Sequence, residues 1–346
     1  MRITTSKILT ATAIVGLLFS CKKEQPVDPV VNNPANPTPT TTMSQELLSF
    51  FERNEVAPQT FSMNANETKK FVLASDAQVQ ISGGFVDASG NSVTGNVDIE
   101  IQEIYSKSNM ILSNKPTLSN QGILTSAGEF SIIASQNGTR VYSANSNGVE
   151  VFVPTANNQT DMDFWIASEN DDDFLWEVVD SVDVDLTDST DVWQDSIFID
   201  PMDSMVWDST VWVDPIYDYY YNVTTSIYNN FDWINLDVLV PSQGCGTGLL
   251  NINVTEDFTQ YNTSVFVVIT DYNGVVNVYS YDDHTFTLGN YYELYNCLNV
   301  DVIGISAIDG ELYFGTENVT IDGTTEVNLH LVPTTEDQIL SQINNL

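Results

Sequence analysis

The sequence predicts an all-β fold of two β-sandwich domains with short flanking helices, and three observations carry that expectation. Apolar residues alternate at period two over many short stretches, as in Val97-Asp98-Ile99-Glu100-Ile101 and Val149-Glu150-Val151-Phe152-Val153. Turn chemistry separates them, with Ser89-Gly90-Asn91 and Gln136-Asn137-Gly138-Thr139 in the first half and Tyr272-Asn273-Gly274 and Asp309-Gly310 in the second. No long helical period interrupts the run of strands. Many short strands joined by polar turns cannot bury their apolar faces singly, so two sheets packed face to face are the economical arrangement.

The chain begins with a segment of another kind. Residues 1–20 carry Arg2 and Lys7, then an apolar run over 8–19, and end on the small residue Ser20. A positive start, a short apolar core and a small residue before a cut make a secretory signal peptide rather than a spanning helix. With Cys21 directly after Ser20, the stretch resembles a bacterial lipoprotein signal. The resemblance implies that the Cys21 thiol receives a diacylglycerol, that cleavage precedes it, and that two or three acyl chains then anchor the N-terminus where one would hold only marginally. Residues 21–43 continue as a linker in which residues 26–42 read PVDPVVNNPANPTPTTT. Such a stretch is extended and semi-rigid, reaching some 50 Å at about 3.1 Å per residue.

Residues 44–160 form the first domain of this reading. Ser44 caps a short helix over 45–53, whose Leu47, Leu48, Phe50 and Phe51 make an apolar side expected to pack on the domain that follows. Strands are expected at Phe71-Val72-Leu73, Val79-Gln80-Ile81 and the two alternating stretches already named. Phe85-Val86-Asp87-Ala88-Ser89-Gly90, Val93-Thr94-Gly95-Asn96-Val97, Met110-Ile111-Leu112-Ser113, Pro116-Thr117 and Gly128 together resemble uncharacterised cell-envelope lipoproteins of the Bacteroidota. That resemblance implies a β-sandwich and brings no catalytic residue.

Residues 161–241 read as an acidic, Trp- and Tyr-rich connector. A repeat recurs there: Val192-Trp193 returns as Val206-Trp207, and Asp200-Pro201 as Asp214-Pro215. Two copies fall short of a solenoid, so the expectation is a hairpin or strand pair laid on a sandwich, or a disordered stretch. Five Asp-Ser-x triplets centred on Ser181, Ser189, Ser196, Ser204 and Ser209 match what the Bacteroidota O-glycosylation system accepts, so these serines are candidate glycosylation sites. Asp183, Asp185, Asp188 and Asp191 offer hard oxygens to calcium, but the EF-hand spacing is absent and a solvated face is expected instead. Phe231-Asp232-Trp233-Ile234-Asn235-Leu236-Asp237 again looks like a segment of those lipoproteins, with Leu236 where they carry Cys. Trp233 suits either a seam between domains or a core.

Residues 242–333 supply about seven strand stretches, among them 249–254, 265–269, 275–279, 300–303 and 327–331, spaced as in an immunoglobulin-like sandwich. Residues 334–346 close the chain with a helix capped by Thr334 or Thr335, its acids at the positive end. Cys245 and Cys297 remain after Cys21, in a compartment that permits disulfides, either bridged or as two buried thiols.

Charge excludes more than it assigns. Lys and Arg total 10 against 47 Asp and Glu, a net charge of -37, and no cation follows Arg140. Such a surface repels phosphate backbones, so nucleic acid is excluded as a partner. Motifs for catalysis are missing: His284 and His330 belong to no HExxH, and there is no GxSxG, Walker loop or GxGxxG after a strand. No catalytic residue, metal or cofactor is expected, although a glycosidase needs only two carboxylates and nothing in the sequence selects a pair. The expectation is therefore a lipid-anchored protein of the cell envelope, at the outer membrane and facing either side, that meets the membrane through its N-terminal lipid. Its sandwiches would serve binding, adhesion or structure toward a protein or glycan. The alternative is a carbohydrate-active hydrolase or a glycan binder stacking sugars on Trp193, Trp207 and Trp212.

Overall fold

The computed structural model describes residues 43–155, 161–168, 174–188, 219–227, 232–280 and 284–346. Strands dominate these residues, as the period-two patterning requires. The first sandwich is built from β1 (Gln59–Asn64), β2 (Lys69–Val72), β3 (Gln78–Ile81), β4 (Phe85–Val86), β5 (Asn96–Ile104), β6 (Leu124–Gln136), β7 (Thr139–Ser143) and β8 (Val149–Thr155). It continues through β9 (Asp163–Ala167), β10 (Glu177–Val178), β11 (Val184–Asp188), β12 (Tyr219–Thr225) and β13 (Trp233–Leu239). One sheet runs β1-β5-β6-β13-β9-β10, with β7 on β6 and β4 on β7, and the facing sheet runs β11-β12-β8-β3-β2. Their inner faces share one core, to which Ile99, Phe130, Phe164 and Leu236 come from one sheet and Ile81, Val151, Tyr221 and Val223 from the other.

This corrects the reading of residues 161–241 as a connector. Five of the first sandwich's strands lie there, and β13 occupies the middle of a sheet, hydrogen-bonded to β6 on one side and β9 on the other. A boundary at residue 160 would cut both sheets. The fourteen-residue repeat, with Trp193, Trp207, Trp212 and Asp191, lies outside the described residues.

The second sandwich comprises β14 (Thr247–Asn253), β15 (Thr263–Ile269), β16 (Gly274–Val278), β17 (Thr285–Leu288), β18 (Leu294–Tyr295), β19 (Asn299–Ile308), β20 (Glu311–Thr320), β21 (Thr324–Asn328) and β22 (Val332–Pro333). One sheet runs β17-β14-β18 with β21 parallel to β14, and the other runs β16-β15-β19-β20-β22. Leu250, Ile252, Phe286 and Val327 meet Val265, Val267, Val300 and Val302 between them. Cys245 and Cys297 are joined by a disulfide at the start of this unit, with their Cα atoms 6.5 Å apart.

Strand β15 explains how the two sandwiches become one body. Every residue of it is buried, because alternate side chains enter two different cores. Val265, Val267 and Ile269 point into the second sandwich, while Phe266 and Val268 point out of it into a seam. Trp165, Ala167 and Trp233 meet them there from the first sandwich, together with three helices, α1 (Gln45–Asn54), α2 (Lys107–Leu112) and α3 (Glu336–Ile343).

Each helix forms for a local reason and is held by its apolar side. The Ser44 hydroxyl accepts from the Leu47 amide at 3.3 Å and starts α1, whose Leu47, Phe50 and Phe51 are buried. It lies against β19 of the second sandwich and shares the seam cluster with Ile104 and Trp165 of the first. The Ser44 amide also donates to the Tyr261 carbonyl at 2.6 Å. Helix α2 is capped by Ser106, and its Ser108 hydroxyl donates at 3.0 Å to the Ile343 carbonyl at the end of α3, which also accepts from the Leu346 amide. A capping box between Thr335 and Gln338 opens α3 and carries Ile339 and Ile343 into the seam. Thr335→Ala should cost about 1 kcal/mol, read as a lower urea midpoint with faster amide exchange along α3. No described helix is long and apolar enough to cross a membrane.

Candidate functional site

The seam places a turn of the second sandwich against the start of β6 in the first, before the stretch of β6 that pairs with β5. Between β15 and β16 the chain turns through Asp271, Tyr272 and Asn273, and Asn273 fastens that turn to the other sandwich. Its side-chain amide donates to the carbonyls of Tyr105 and Ser126, both at 2.8 Å, and its carbonyl accepts from the Ser126 amide at 2.9 Å. Gly274 is required beside it, since a Cβ there would come within 2.5 Å of the Leu124 carbonyl oxygen. Ala in its place should push the turn off β6 and lower stability by about 1 kcal/mol or more, measurable by denaturant titration.

A cleft of about 610 Å³ opens where this turn meets the first sandwich. Ser126 and Ala127 form its floor, at the point where β6 and β13 slip register between Leu236 and Asp237. Asp161, Met162 and Tyr221 line it from the first sandwich, and Asp271 and Tyr272 from the second. The charged residues among its described lining, Asp161 and Asp271, are both acidic. Asp163, at the start of β9, is held above the usual carboxylate range by partial burial and then by Asp180 and Asp161. The Lys107 ammonium donates to the carbonyls of Ile269 at 2.6 Å and Thr270 at 2.9 Å and is within electrostatic reach of Asp271.

Behind the floor lies a buried polar row. Ser126 Oγ donates to Asn235 Oδ1 at 2.8 Å, and Asn235 Nδ2 donates to Asp237 Oδ2 at 2.5 Å. The carbonyl of Asp237 accepts from Trp165 Nε1 at 3.1 Å. Glu129 stands opposite Asn235 in the ladder. Both carboxylic residues are 0% exposed, and among the described residues neither oxygen of Glu129 nor Oδ1 of Asp237 has a hydrogen-bond partner. Burial therefore pushes the Glu129 carboxyl well above its usual range; Asp237 pushes it further and Lys115 opposes. Asp237 is raised by burial too, with the side chains of Ser126 and Asn235 offsetting part of the effect. Lys115 itself lies over the rings of Phe174 at 4.8 Å and Trp233 at 5.3 Å.

The residues singled out from sequence fall elsewhere. Cys21, Ser189, Ser196, Ser204 and Ser209 lie outside the described residues, and Ser181 is exposed in the turn before β11. Asp183 and Asp185 are exposed, and among the described residues no three His, Cys, Asp or Glu side chains converge as metal ligands. His284 Nδ1 lies 3.0 Å from the Phe258 carbonyl, and His330 is exposed on its own. Trp233 belongs to the seam, with its ring 6.0 Å from that of Phe174.

Comparison with known proteins adds no identity: no family model, no curated protein and no solved structure matches the chain. What fold and site define is a class, an all-β body of two packed sandwiches with an acidic cleft at their junction.

Proposed function

We propose that this is a lipid-anchored cell-envelope protein that binds a partner at the seam cleft and performs no chemistry on it. Cys21 carries the anchor, the Pro-rich linker gives reach, and the joined sandwiches present the cleft. The observation that supports binding over hydrolysis is the contrast between two sets of acids. The pair with strongly perturbed carboxyls, Glu129 and Asp237, is 0% exposed and offers no approach to a substrate. The acids that do line the cleft, Asp161 and Asp271, share it with the half-buried ring of Tyr272, which is suited to holding a ligand by contact. The five Asp-Ser-x serines, of which Ser181 is exposed, carry O-linked sugars in this reading.

A glycan array and a turnover assay on one purified sample test the central point; binding without product is expected, and product would overturn it. Labelled palmitate should enter the wild-type chain and not Cys21→Ser. Protease shaving of whole cells decides the membrane face. Intact mass of protein from a glycosylating host should exceed that from a non-glycosylating one by more than the lipid.

A further inference from the structure

The cleft has two chemistries within one outline. Met162, Leu239 and Pro241 give it an apolar stretch, and Asp161 and Asp271 give it carboxylates, one from each sandwich. No Lys or Arg is among its described lining residues; Lys107, whose charge reaches Asp271, is held on the backbone carbonyls of Ile269 and Thr270. A metal ion is the wrong size for this arrangement: about 610 Å³ is in the range of an organic ligand, and no three acidic or other metal-binding side chains converge among the described residues. Anions are disfavoured by both carboxylates and by the net charge of -37. Apolar and acidic lining within one cleft are the complement of a long side chain with an alkyl stem and a cationic head. Tyr272, half-buried on the turn of the second sandwich, adds a ring face that attracts a cation; Tyr221 reaches the outline from the core, where it is 2% exposed.

We propose that the seam cleft receives an arginine or lysine side chain of a basic peptide, its stem along Met162 and Leu239 and its head between Asp161 and Asp271. The inference rests on the reading of this cleft as a binding site and names what the site takes. Guanidinium is the better fit of the two heads, because its planar fork can meet a carboxylate with paired hydrogen bonds and still stack on a tyrosine.

The test uses the folded chain without its signal and two probes of equal shape, acetyl-Gly-Arg-Gly-amide and the same peptide with citrulline, which keeps the outline and loses the charge. Calorimetric titration at fixed ionic strength should show the arginine peptide binding at one site, at least tenfold tighter than the citrulline peptide. Asp161→Asn with Asp271→Asn should remove that tenfold preference. Glu317→Gln with Asp322→Asn, which removes two exposed charges elsewhere, should leave it intact. Tyr272→Leu, which keeps both acids, should weaken the arginine peptide severalfold and serves if the double Asn variant fails to fold. Equal binding of the two peptides, no binding of either, or equal losses in both double variants would overturn the proposal, the last by showing diffuse attraction to an acidic surface. A neutral oligosaccharide binding at the cleft would also overturn it while leaving the binding module standing, whereas product formation would remove the module itself.

Discussion

Trp165→Ala is expected to lower the stability of the folded chain by about 3–5 kcal/mol and to split a single unfolding transition into two. The ring is 0% exposed on β9 and lies in the apolar seam rather than in either sandwich core. Truncation leaves a cavity the neighbouring strands cannot close, because Phe266 and Val268 are held by a strand packed on both faces. It also strips the Asp237 carbonyl of its donor, Trp165 Nε1. The location gives the second part of the prediction. Each sandwich keeps its own core when the seam is weakened, so the two should melt as separate units once the contact that couples them is gone. Differential scanning calorimetry reads both quantities. A loss under about 1 kcal/mol, or one transition with its cooperativity unchanged, would mean that the helices and the Asn273 turn suffice to couple the halves.

Alternation made the strands legible and left their neighbours hidden. Val97 to Ile101 and Val149 to Val153 read as strands because a period of two has no other simple cause. The place of β13 between β6 and β9 left no such trace, since pairing between distant segments is written in complementarity and not in local pattern. The same limit concealed the site. Trp233-Ile234-Asn235-Leu236-Asp237 alternates cleanly, which says that Asn235 and Asp237 share a face with Trp233 and oppose Ile234 and Leu236. A polar alternate face normally meets water; here a second sandwich covers it. Helix α1 was legible from Ser44 and its apolar side, although not its partner, because amphipathicity gives a face without saying what lies on it. Helix α2 went unread because it spans only six residues and opens on Ser-Lys-Ser-Asn, which also suits a turn.

Glu129→Met is expected to stabilise the protein by about 1–3 kcal/mol near pH 8, a gain that shrinks toward pH 4.5. The side chain is 0% exposed and its two oxygens have no partner among the described residues, so at high pH it must either hold a proton or bear a desolvated charge beside Asp237, and methionine fills nearly the same volume without either cost. The sign follows from linkage. A carboxyl raised in the folded state holds its proton where the unfolded chain has released one, so the folded state binds more protons above about pH 4. Stability from Glu129 and Asp237 is fully present below that range and is lost as pH climbs toward their raised folded values. Repulsion within a chain of net charge -37 slopes the same way for the wild type and the variant, so the difference between them isolates the site. Urea titrations of both at pH 4.5, 6 and 8 measure it. Asp237→Asn should show a smaller gain of the same sign, because the Asn235 amide keeps an acceptor. Equal stabilities at pH 8, or a gap that fails to narrow on acidification, would mean that Glu129 is neutralised by a partner the ladder does not place beside it.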